Sequence, residues 1–154
     1  MKVRKGFTLV ELLSVIVIIG ILAAVMLLAG ASTAASADAS KIIYNLRNLK
    51  TASMMLYVES GDIDPGSADI NMLVNYLTDP NKLGADSSDD AVPYMFEVDD
   101  EGRWWLGYNF ATGHKNKLVQ DKVAGKARSI GLYPDMGLSG SYYQSGNVVY
   151  MVAR

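Results

Sequence analysis

Residues 12–31 (LLSVIVIIGILAAVMLLAGA) carry no charge, and as a helix these 20 residues would span about 30 Å, the hydrocarbon thickness of a bilayer. A run of that length has to lie in lipid or in an equally apolar assembly. Lys2, Arg4 and Lys5 precede it with no acid among them, so the positive-inside rule keeps this end in the cytoplasm and sends residues 32–154 across the membrane. In a chain of 154 residues, what remains beyond the run builds one compact head at most. There is no cysteine, which excludes disulfides, a thiolate nucleophile and Cys-based zinc or iron–sulfur sites. With 50% hydrophobic and 19% charged residues, collagen-like, coiled-coil and disordered classes are excluded as well.

Two ordinary explanations fit such an N-terminus: a secretory signal peptide cut near Ala29-Gly30-Ala31, and a permanent single-pass anchor. Neither accounts for Glu11, an ionisable residue at the start of the run with Phe7, Leu9 and Val10 before it. In lipid an unpaired carboxylate is costly, so Glu11 calls for a partner.

The residues Lys5-Gly6-Phe7-Thr8-Leu9-Val10-Glu11 resemble the cleavage and assembly motif of the type IV pilin and pseudopilin family. A short basic leader ends in Gly6, Phe7 is the first residue after it, a glutamate stands fifth after the cut, and an apolar helix follows. The resemblance implies that a membrane-embedded prepilin peptidase cuts between Gly6 and Phe7 and methylates the new amino group of Phe7. The apolar segment is then retained, which divides the chain into a leader at 1–6, a transmembrane and filament-core helix at 7–31 and an extracytoplasmic head at 32–154. A new α-ammonium at Phe7 would give Glu11 an opposite charge, in its own chain or in the neighbouring subunit, and pairing between subunits would fix axial register. Family members often place a proline late in the apolar run, where this chain has only Gly20 and Gly30, which are weaker breakers.

Helical periodicity continues past the membrane through Ala39, Ile42, Leu46, Leu49, Ser53 and Leu56, while Lys41, Asn45, Asn48 and Thr51 fall on other faces. The spacing predicts one helix from 7 to about 59, capped by Gly61, with a turn over Asp62-Ile63-Asp64-Pro65-Gly66. Ile70, Leu73, Val74 and Leu77 predict a second short helix, capped by Asp69 and stopped before Pro80, followed by a loop to about Ala91. Val92–Val98 and Arg103–Phe110 read as strands joined by the turn Asp99-Asp100-Glu101-Gly102. Residues 141–144 and 148–153 read as a second hairpin around Ser145-Gly146-Asn147. Between the hairpins Leu118, Val119, Lys122, Val123 and Ala127 predict a short helix weakened by Gly125. The fold class expected is α+β: a long N-terminal helix, membrane-spanning in its first half, packed against a small antiparallel sheet. This matches the pilin-like fold that the resemblance implies.

Removing the three leader cations changes the net charge from −2 to −5, and its distribution is lopsided. Residues 59–101 hold twelve acids against Lys82, whereas residues 103–154 hold seven bases against Asp121 and Asp135. A solvated surface and complementary contact between neighbouring heads both fit this split. Lys115, Lys117, Lys122, Lys126 and Arg128, near Tyr108 and His114, form the cluster relevant to nucleic acid, a weak signal without a stacking platform. Asp86, Asp89 and Asp90, or Asp99, Asp100 and Glu101, offer oxygen ligands for calcium but lack EF-hand spacing, so solvated loop carboxylates are the better reading. The single histidine, His114, has no companion for a metal or a triad and reads as a turn residue. Tyr94, Phe96, Trp104, Trp105, Tyr108 and Phe110 are expected to form a core face. Phosphate loops, nucleophile elbows and paired catalytic carboxylates are absent from the sequence, so no enzyme, cofactor or metal is expected.

The function expected is a structural subunit of a pilus-like filament, with Gly6 and Phe7 as the processing site and Phe7 and Glu11 as the assembly residues. Its expected partners are prepilin peptidase, copies of itself, other pilins and an inner-membrane assembly platform. It would sit in the inner membrane before assembly, and in an extracellular pilus or periplasmic pseudopilus afterwards. The alternatives are a pseudopilin of a type II secretion system and, from another class, a membrane-anchored extracytoplasmic binding domain.

Overall fold

A computed structural model describes residues 6–78, 92–113, 116–138 and 140–154. The long periodic segment forms one helix, α1, spanning Leu9–Ser60 and passing through Gly20 and Gly30. The chain divides into two compact units, Met1–Ala34 and Ala35–Arg154. In the first unit every described side chain of α1 is exposed on all sides of the helix. In the second, the helix buries one face: Ala39, Ile42, Leu46 and Leu49 are each at most 1% exposed, with Ala52, Ser53 and Leu56 continuing it. Gly61 ends α1 as expected, with φ +76° and its N–H donating to Tyr57 O at 2.8 Å. Glycine takes that left-handed conformation at little steric cost.

Asn45 departs from the sequence expectation, since it lies in the buried face rather than outside it. Its Nδ2 donates to Tyr94 Oη at 2.9 Å, which satisfies a polar group that burial would otherwise penalise. Burial raises the Tyr94 phenol above its ordinary pKa, against the lowering effect of that bond.

The second short helix is a 3-10 helix, Ile70–Tyr76. Asp69 Oδ1 accepts from Asn71 N–H at 2.6 Å, Leu73 is fully buried, and the chain turns extended at Leu77. Pro80 and most of the expected loop to Ala91 lie outside the described residues.

Four strands form an antiparallel sheet in the order β1-β2-β4-β3: β1 Tyr94–Val98, β2 Trp104–Asn109, β3 Leu132–Tyr133 and β4 Val148–Val152. The first hairpin is the expected one, pairing Tyr94 with Tyr108 and Val98 with Trp104. The second is not. Residues 141–144 form no strand, and β4 pairs instead with β2 on one side and with Leu132–Tyr133 on the other. The reason lies one element earlier. Helix α2, Lys117–Ile130, is capped by Asn116 and ends on Gly131 at φ +76°, which turns the chain directly onto the edge of β4. Tyr143 then donates its N–H to Leu132 O at 2.8 Å and buries its ring against Phe110, so residues 141–144 fold inward.

On β2 the aromatic alternation splits between the two faces. Trp104, Leu106 and Tyr108 belong to the core cluster, whereas Trp105 is equally buried but outside it. Tyr133 and Tyr150 meet Trp105 edge-on, and the Arg103 guanidinium lies 5.7 Å from its ring. Gly107 permits this second layer: a Cβ there would come within 2.8 Å of Met95 Cε and 3.1 Å of the Tyr150 ring.

Asp99 organises the first turn. Its Oδ1 accepts from the N–H groups of Glu101 (3.0 Å) and Arg103 (2.9 Å), and its Oδ2 from Arg103 Nε (2.7 Å) and Trp105 Nε1 (2.8 Å). It is therefore a turn scaffold, in place of the solvated loop carboxylate expected. Burial by itself would raise its pKa, but the bonds from Trp105 and Arg103 and the Arg103 charge hold it down to about 2.

Two outcomes are expected. Leu49→Asp should unfold the head, because Leu49 is fully buried and an unpaired charge there costs several kcal/mol; loss of the cooperative thermal transition by circular dichroism is the check. A carboxyl whose pKa is depressed by folding stabilises at pH values above its unfolded pKa and loses that contribution as pH falls through the folded one. The melting-temperature gap between wild type and Asp99→Asn should therefore be fully open above about pH 4 and close as pH approaches 2.

Candidate functional site

The proposed processing and assembly residues sit at the start of α1. Gly6 has no positive φ, and a Cβ added to it would meet nothing within 4 Å. Among the described residues, no packing or backbone requirement calls for glycine there. Phe7 is 84% exposed.

Glu11 has a partner that sequence reasoning missed. The Thr8 N–H and Oγ1 donate to Glu11 Oε2 at 2.9 and 2.8 Å, and the Glu11 N–H donates back to Thr8 Oγ1 at 3.2 Å. With the helix beginning at Leu9, Thr8 is the N-cap and Glu11 the third helical residue. The arrangement is a reciprocal capping box, which satisfies helix-end donors that have no intrahelical acceptor. Its signal, Thr8-x-x-Glu11 before an apolar run, was present in the sequence. The carboxylate also stands near the positive end of the helix dipole.

Through Ala34, the described apolar side chains of α1 are open on every side: Leu9 is 85% exposed, Ile19 58%, Met26 73%. This helix is long and apolar enough to cross a membrane. Such a surface is stable only when lipid or other apolar helices cover it.

The remaining sequence candidates fall elsewhere. Lys117, Lys122, Lys126 and Arg128 lie on α2, and His114 and Lys115 lie outside the described residues. Tyr108 is 1% exposed, so it offers no face for stacking a base. Asp99, Asp100 and Glu101 occupy the turn already described, whereas Asp86, Asp89, Asp90 and Lys82 lie outside the described residues. No group of three His, Cys, Asp or Glu side chains suited to a metal ion occurs among the described residues.

Residues 1–27 match the family model of the prokaryotic N-terminal methylation motif. Fimbrial protein EcpB of Eikenella corrodens is 42% identical over 64 residues, covering 40% of this chain and 40% of that protein. The matched stretch is thus well under half of the curated relative's length. No solved structure matches the chain. The methylation motif and the fimbrial relative support membership of the type IV pilin family, and the long helix with its four-stranded antiparallel sheet is pilin-like. Both comparisons point to a structural protein rather than an enzyme.

Thr8→Val should remove the hydroxyl half of the capping box while keeping a β-branched residue. A cap of this kind contributes about 1 kcal/mol, so amide exchange in the first turn of detergent-solubilised protein should accelerate about fivefold, with exchange in the head unchanged.

Proposed function

We propose that this chain is a structural subunit of a type IV pilus-like filament. It waits in the inner membrane as a single-pass protein, is cut after Gly6 by a prepilin peptidase that methylates Phe7, and polymerises by bundling its apolar helices. The observation that carries the proposal is the first half of α1, whose apolar side chains are open on all sides and end in a carboxylate. In the membrane, lipid covers that surface. In a filament core, the same surface of other copies or other pilins takes the place of lipid, and each subunit gains close van der Waals packing as it leaves the bilayer.

The capping box gives Glu11 a defined role before and after the cut. In the uncut chain Thr8 holds the carboxylate by neutral hydrogen bonds. Hydrolysis of the Gly6–Phe7 bond creates an α-ammonium one residue from the Thr8 cap. That cation, from the same chain or from a neighbour, supplies the opposite charge that makes a carboxylate tolerable in a low-dielectric core. Methylation retains the positive charge. A secreted or merely anchored domain has no use for either group.

Gly6, for which the fold gives no reason, fits the peptidase: a side chain there would obstruct the cut. The mature protein should begin at a methylated Phe7, read by intact mass, and Gly6→Val should leave full-length precursor in the membrane. Glu11→Ala should be inserted and cleaved normally but yield few or no sheared filaments. Filaments of Glu11→Ala in normal number and length would mean that apolar packing alone sets the register.

A further inference from the structure

The charge asymmetry of the sequence becomes an axial asymmetry in the folded head. Lys126 Nζ donates to Ser40 Oγ at 3.0 Å, which seats α2 at the Ser40 end of the head's helix. At the other end of α1, Arg154 pairs with Asp62 and lies 3.7 Å from the Tyr57 ring, and the Trp104 ring meets Tyr57 at 5.6 Å. Trp104 lies two residues past the turn at residues 99–102, so that turn belongs to the Ser60 end. Ser40 and Ser60 are twenty residues apart on one helix, about 30 Å at the usual rise.

The two ends carry opposite charge. Around Ser60 stand Glu59, Asp62, Asp64, Asp99, Asp100 and Glu101, with Arg103 and Arg154 as the cations paired among them. Asp64 and Asp100 are exposed and make no ion pair among the described residues. At the Ser40 end, α2 turns Val119, Val123 and Ala127 inward and presents Lys117, Lys122, Lys126 and Arg128 with one acid, Asp121. Lys117, Lys122 and Arg128 make no ion pair among the described residues. A Cβ on Gly125 would meet nothing within 4 Å, so the basic face is open to an approaching surface.

We propose that heads stack axially in the filament, the acidic Ser60 end of one copy against the basic face of α2 on the next. The partner is a second copy because one chain carries both complementary surfaces, on different ends. A contact between two different patches of one molecule is heterologous, and unless its rotation closes a ring it repeats into an open filament. Complementary potentials of this kind fix register and exclude wrong partners. The inference rests on the filament role proposed above and adds the contact that orients the heads.

The test uses the full-length chain in its own assembly system. Lys122→Glu with Arg128→Glu makes both ends acidic, and Asp64→Lys, Asp100→Lys and Glu101→Lys together make both ends basic. Each variant alone should be processed normally yet give about tenfold fewer sheared filaments than wild type, since like charges now face each other. Combining all five substitutions in one chain, or co-expressing the two variants, should restore filaments to within about twofold, which also establishes that both variants fold. Wild-type filaments should shed subunits sooner in high salt, where screening shortens the reach of these charges. Filament yield unchanged in either variant would overturn the stacking, as would failure of the combined variant and of co-expression to recover. Loss of duplex DNA binding by Lys122→Glu with Arg128→Glu, with filament yield intact, would overturn it too and assign α2 to nucleic acid. Absence of filaments from the unaltered chain would instead refute the filament role itself.

Discussion

One helix has to satisfy two different surroundings. Through Ala34 the described side chains of α1 are exposed on all sides, and from Ala35 onward only one face is buried while Lys41, Arg47 and Thr51 remain in solvent. Hydrophobic transfer dictates both halves. An all-round apolar helix must be covered by lipid or by other helices, and a one-sided helix by a sheet of its own chain. The rest of the head is organised by the second demand: β1, β2 and β4 supply Phe96, Trp104, Leu106, Val149 and Met151 to the cluster that covers Leu46, Leu49 and Leu56.

Covering a helix with so small a sheet leaves little margin, and the polar contacts at its borders are correspondingly specific. Asn45 reaches Tyr94, Lys50 Nζ donates to Val152 O at 2.9 Å, and Arg154 pairs with Asp62 over the Tyr57 ring. The first joins α1 to β1, and the other two join α1 or the residues just after it to the end of β4. Asp99 performs the equivalent task within the first hairpin, tying turn, strand start and the indole of Trp105 to one carboxylate. Such contacts to charged groups are stronger than neutral ones and fix geometry as much as they add energy.

The same logic separates two carboxylates that look alike in sequence. Glu11 and Asp99 are both acids beside apolar or aromatic runs, and both are held by local hydrogen bonds. Asp99 has a permanent cation, Arg103, four residues away. Among the described residues Glu11 is held by Thr8, and the cation proposed for it is created by processing. A group whose charge partner arrives later is suited to a switch, whereas a group paired from the start is suited to a scaffold.

Much was legible in the sequence because the signals were local. The apolar run, the 3- and 4-residue spacing of Ala39 to Leu56, Gly61 as a cap and the Asp99–Gly102 turn each depend on neighbours a few residues away, and each appears where the pattern put it. The Thr8–Glu11 capping box was equally local and was obscured by treating Glu11 as a carboxylate in need of a distant partner. Only the tertiary structure decided that Asn45 is buried, that Trp105 is covered by a second layer on the sheet face opposite the core, and that β4 pairs with Leu132–Tyr133 rather than with residues 141–144. Those outcomes turn on which of several edges and faces are free once α1, α2 and β2 are in place. That is a competition among distant segments for the same surface, and period and spacing along the chain carry no record of it.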